Sequence, residues 1–150
     1  MPFTNADLLA IKAELTNDPL DLGLTTVPAD DEANANKLNA ISNTINVKRR
    51  ALAASAIFAA IDPLEHQALT DQQARWLSAL LEVGQIDPLE DQEIVDGLNQ
   101  MFAADSNSRP AYTALLTEHG SRINQLFQNG TLSVNQQATP SDIANARNAT

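Results

Sequence analysis

The stretch Ile-Asp-Pro-Leu-Glu occurs twice, at Ile61–Glu65 and Ile86–Glu90, and a further Asp-Pro-Leu lies at Asp18–Leu20. Carboxylates repeated at a fixed spacing could serve as general acid and base. Asp62 and His66 also have the i, i+4 spacing that places two side chains on one helix face. The second histidine, His119, follows Glu118 and precedes Gly120. A zinc site needs three or four ligands from His, Cys or carboxylates. With two histidines and no cysteine, neither His66 nor His119 gathers such a set. The chain also has no phosphate-cradling glycine loop, nucleophile elbow or calcium loop.

Asp-Pro-Leu-Glu has a simpler use as a helix start. Aspartate accepts hydrogen bonds from the free amides of the first turn, and proline at the first helical position loses no needed donor. Glutamate three residues after the cap completes a capping box and favours the positive end of the helix dipole. The residue before proline is pushed out of helical geometry, so the preceding helix ends there. The sequences that follow the two copies do not match at a fixed period, so the repeat is punctuation and not a solenoid.

The elements positioned by this punctuation read as helices. Thr4 with Asp7 opens one that runs to about Leu15. An irregular stretch, Asn17–Asp31, wraps the surface, followed by helices over about Asp31–Ser42 and Val47–Ala60. Thr70 with Gln73 caps a helix through Trp76 to Gly84, and the next runs from about Leu89 to Ala103. Ser108 with Pro110 starts another that ends at Gly130, with Gly120 as an internal cost of about 1 kcal/mol relative to alanine. Thr139-Pro140-Ser141-Asp142 is a complete start signal for a last short helix. Only Thr131–Val134 could be a brief extended piece. The expectation is all-α: a compact bundle of about five to seven helices with a long N-terminal loop and an extended, partly helical C-terminal tail. Residues 1–130 form the helical domain and 131–150 the tail.

Composition bounds the function. Apolar residues make up 43% of 150, with four Phe, one Tyr and one Trp, so the core is aliphatic. Nineteen acidic against nine basic residues give a net charge of −10, which repels nucleic acid. The absence of cysteine excludes disulfides and thiolate chemistry. The N-terminus carries Asp7 where a secretory signal would be basic, and Ala51–Ile61 is too short for a bilayer, so a soluble protein of the cytosol, or of an assembly made there, is expected. No enzymatic activity, cofactor or metal is expected.

Two features point to partners. Lys48-Arg49-Arg50 is the one concentration of positive charge. Its residues either pair with the acidic surplus on a solvated face or meet an acidic partner or DNA, and the net charge disfavours specific DNA binding. The polar tail either frays or orders on a partner through Ile143 and Arg147, which share a helix face.

The order of motifs resembles a family of small tailed-phage and prophage virion proteins. It comprises LAIKAELTNDPLDLGL, an Asn-rich helix with KLNAI, FAAIDPLEHQALTDQQ, a Trp-containing helix ending at glycine, IDPL, GSRINQLFQNG and PSDIANAR, from Leu9 to Arg147. Leu38, Asn39, Ser121, Arg122, Asp142, Ile143, Ala146 and Arg147 are the family-like positions. The resemblance implies a head–tail connector of adaptor type, a ring subunit in the virion neck. Such a ring lies between the portal protein and a tail or head-closure ring, with DNA passing through it unread. A tail completion or terminator protein, and a non-virion helical protein-binding module, are the alternatives.

Overall fold

A computed structural model describes residues 2–128 and 136–150. In chain order the elements are α1 (Asn5–Asn17), a 3-10 turn (Pro28–Asp30), α2 (Asp31–Asn39), β1 (Ile41–Lys48), β2 (Leu52–Ala53), α3 (Ala54–Ala59) and α4 (Pro63–Gln67). They continue with α5 (Asp71–Val83), β3 (Gln85–Ile86), α6 (Gln92–Met101), α7 (Ser108–Leu115), β4 (Thr117–Ser121), α8 (Arg122–Phe127) and α9 (Pro140–Asn148). No helix among the described residues is long and apolar enough to cross a membrane.

The all-α expectation is overturned by two small sheets, in which β1 pairs with β4 and β2 pairs antiparallel with β3. The physical reason lies in the residues between the expected helices Asp31–Ser42 and Val47–Ala60 and at their facing ends, which β1 takes up. In β1 the side chains of Ile45 and Val47 are buried while Asn46 between them is exposed, the two-residue alternation of a half-buried strand. Three of the last five residues before Lys48 (Thr44, Ile45 and Val47) are β-branched and stiff at χ1, which lowers their helix propensity. The expected helix over Val47–Ala60 therefore shrinks to the alanine-rich Ala54–Ala59. The long helix expected from Ser108 is likewise split into α7, β4 and α8. The expected stop at Gly130 and the extended piece Thr131–Val134 lie outside the described residues.

A single bundle is not seen either, because the chain divides into two compact units, Met1–Val47 with His119–Thr150, and Lys48–Glu118. In the first unit α9 packs against α1 and α2, and α2 also meets α8. Its core gathers Ile11, Leu15, Leu38, Ile123, Ile143 and Ala146. Two asparagines of α2 pin other backbone to this core. Asn34, fully buried, donates to the Thr25 carbonyl at 2.8 Å and accepts its N–H at 3.2 Å. Asn39 does the same for Ala138 at 2.7 and 2.9 Å. Each amide side chain thus satisfies a backbone donor and acceptor that no sheet or helix serves.

In the second unit α3 packs against α5 and α7 over a core of Leu52, Ile57, Leu77, Leu80, Leu98, Phe102 and Tyr112. The Tyr112 hydroxyl, deep in this core, donates to Asn99 Oδ1 at 2.6 Å. Three capping boxes, at Thr4/Asp7, Thr70/Gln73 and Thr139/Asp142, start α1, α5 and α9.

Candidate functional site

The carboxylates of the first Ile-Asp-Pro-Leu-Glu copy form the most connected polar cluster of the second unit. Asp62 caps α4, its Oδ1 accepting the N–H of Leu64 at 2.8 Å and of Glu65 at 3.3 Å. Glu65 does not reach back to its own cap as a capping box would. It reaches the start of α7, where it accepts the N–H of Asn107 at 2.7 Å, the N–H of Ser108 at 2.9 Å and the Ser108 hydroxyl. Ser108 is fully buried, and its Oγ accepts the Asp62 N–H at 2.9 Å. Helices α4 and α7 are therefore tied together at their N-termini by one carboxylate and one hydroxyl.

The Ser108 hydrogen bond, helped by the two backbone N–H groups and opposed by desolvation, holds the Glu65 carboxyl below its ordinary value of 4.5. A general acid or base serving near neutrality needs the opposite shift. His66 lies outside this cluster, edge-on to the Phe58 ring at 5.4 Å between centroids. His119 is exposed in β4.

A carboxylate with a depressed folded value adds stability above its unfolded value and loses that contribution as pH falls through the folded one. Thermal stability should therefore be level above about pH 5 and fall below pH 4.5 as Glu65 protonates. Glu65→Gln should lower Tm at pH 7 and flatten this acid limb. An acid limb unchanged in the variant would show that Glu65 does not hold α7.

The second copy uses its residues differently. Asp87 accepts the N–H of Leu89 at 3.0 Å and of Glu90 at 3.3 Å, but closes only a turn. Helix α6 starts later, after Asp91, whose carboxylate accepts the Asp87 N–H at 2.7 Å. Burial pushes the Asp87 carboxyl up, and the Arg50 bond with the two N–H groups outweighs it, so the net shift is below 3.8. The third copy, Asp18, ends α1 in left-handed geometry (φ 39°). Its carboxylate takes the N–H groups of Leu22, Gly23 and Leu24 at 2.8, 2.7 and 3.1 Å. One word thus caps a helix, closes a turn and staples a loop.

The basic trio fans out within the second unit. Arg50 donates from Nε to Asp87 at 2.8 Å and lies 3.5 Å from Glu90. Arg49 donates to the Thr117 carbonyl at 3.3 Å, with Glu118 at 4.0 Å. Lys48 reaches Gln92 Oε1 at 3.4 Å. The three cations are dispersed on separate partners and not gathered into one patch.

Ile143 and Arg147 lie together in the first unit. Ile143 is fully buried, and Arg147 makes a two-pronged bond to Asp31 at 2.9 and 2.7 Å. That bond holds the Asp31 carboxyl below its ordinary range. A second such pair, Arg122 with Glu14 at 2.9 and 2.7 Å, joins α8 to α1. Sequence reasoning missed Glu14, Asp31 and Ser108 as partners, since each bonds across 43 or more positions. The one local signal was the density of asparagine in α2, a residue that helices disfavour unless its side chain has other work.

Among the described residues no group of three or more His, Asp and Glu could hold a metal ion. Two depressions lie in the surface of the second unit. One is lined by Phe58, Ile61, Pro63 and His66, another by the outer face of α5. Comparison of the chain with known protein families, curated proteins and solved structures gave no match.

Proposed function

We propose that the chain is a structural subunit of a tailed-phage neck, a head–tail connector of adaptor type made in the host cytoplasm and carried in the virion. The observation that supports this most is where the eight family-like residues fall. All of them lie in the first unit, and each helps to hold it together. Leu38, Ile143 and Ala146 are fully buried, and Asn39 clasps Ala138. Ser121 caps α8, Asp142 completes the capping box of α9, and Arg122 and Arg147 make the two bidentate ion pairs. These are roles in architecture and not in chemistry, as a structural subunit would use them.

The charge also agrees with this role. A ring around a DNA channel must let a polyanion slide, and a net charge of −10 removes the phosphate affinity that would make it stick. The partners proposed are the portal protein on one side and a tail or head-closure ring on the other.

The test is the native mass of the purified protein, alone and mixed with the portal ring of the same phage. The free protein should run below ring size and join the portal in a fixed stoichiometry. No association would sink the adaptor reading. Binding to the tail tube instead would identify a tail completion or terminator protein, and absence from purified particles a non-virion module.

A further inference from the structure

Every cationic side chain but one is bonded within its own unit. Of the nine lysines and arginines, eight donate to a carboxylate, a carbonyl or a side-chain amide. Arg75, exposed on α5, has neither a hydrogen bond nor an ion pair among the described residues. Glu82, two turns further along the same helix, is equally exposed and equally unbonded. Between them on that face lie Ser78 and Ala79, and these four residues line one open depression together with Asp71 and Ala74.

The order of charges is what gives the face a partner. Arg75, Ser78, Ala79 and Glu82 follow i, i+3, i+4, i+7 and so share one exposed face of α5, opposite the buried Leu77 and Leu80. The opposite charges sit at its two ends, about 10 Å apart along the axis, with small residues at the middle. Turned end for end, the stripe is its own complement. A dyad between Ser78 and Ala79 sets Arg75 of one copy against Glu82 of the other, and the reverse, while the small central residues let the axes approach to about 8 Å.

We propose that the outer face of α5 is a self-association surface, through which two copies of this chain pair antiparallel about a two-fold axis. This does not rest on the neck reading. A single helix pair buries less than the roughly 1,200 Å² of a standard interface, so the dimer is weak and forms with rising protein concentration. The mutual repulsion of two chains at −10 is screened at about 0.15 M salt, where the short-range pairs persist.

Sedimentation equilibrium over a concentration series tests it. The wild type should move from monomer toward dimer. Arg75→Glu and Glu82→Arg should each raise the dissociation constant about tenfold or more, because each replaces two attractive contacts by two repulsive ones. The two changes together restore complementarity and should recover most of the loss. Ala79→Gln, which adds bulk at the dyad without changing charge, should also weaken the dimer. All three substituted positions are exposed, so unchanged far-UV circular dichroism will certify the fold. A wild type monomeric throughout, or a charge swap no better than either single change, overturns the proposal.

Discussion

Ile143→Ala should destabilise the first unit by about 2–5 kcal/mol in the free protein, before any partner is added. The side chain is fully buried among Ile11, Leu15, Leu38 and Ile123, on a helix that packs against both α1 and α2. Truncation removes its apolar atoms from the core and leaves a cavity that the rigid helices around it fill only in part. The Arg147–Asp31 bond does not compensate, because it fixes α9 only on the α2 side. The measurement is a urea titration followed by far-UV ellipticity. Trp76 and Tyr112 both belong to the second unit, so aromatic emission would watch the wrong part of the molecule. An unchanged midpoint would mean that α9 is undocked in solution and that Ile143 is available to a partner.

This expectation runs against what the composition of the last twenty residues suggests. They hold few apolar side chains, and by that measure they resemble a tail that frays. Their capping box at Thr139/Asp142 was legible because it is local, three residues from donor to acceptor. The docking of the helix was not, because it depends on a slot made by Ile11 and Leu38 and on an aspartate 116 positions away. The same division runs through the chain. Starts of helices were readable at Thr4 and Thr70, where the cap lies within one turn. The roles of Glu65, Asp18 and Asp87 were not, since one Asp-Pro-Leu word gave three outcomes according to what lay nearby in space. Asp62 found a helix to cap, while Asp18 found three amides of a loop. The basic trio follows the same rule: consecutive residues bonded to Gln92, Glu118 and Asp87, which only the fold brings near.

Gly120→Ala separates the helical expectation from the strand by the sign of its effect. In the interior of an exposed helix the substitution would stabilise by about 1 kcal/mol, through helix propensity alone. In β4 it meets Val47 of β1. A methyl group at Gly120 would lie 2.6 Å from one Val47 γ-carbon, 2.8 Å from the other and 3.3 Å from its β-carbon. The first two separations are shorter than side chains tolerate. Val47 is buried and β-branched, so it has no long, flexible end to swing aside and the strand backbone must move. The expected result is a loss of about 1–3 kcal/mol from overpacking. Val47→Ala removes both γ-carbons, so the double variant should recover part of that loss, and the departure from additivity measures the contact directly. Stabilisation by Gly120→Ala would instead mean that the chain stays helical from Ser108 to Phe127. In that case the pairing of β1 with β4, and with it the correction to the all-α reading, would fall.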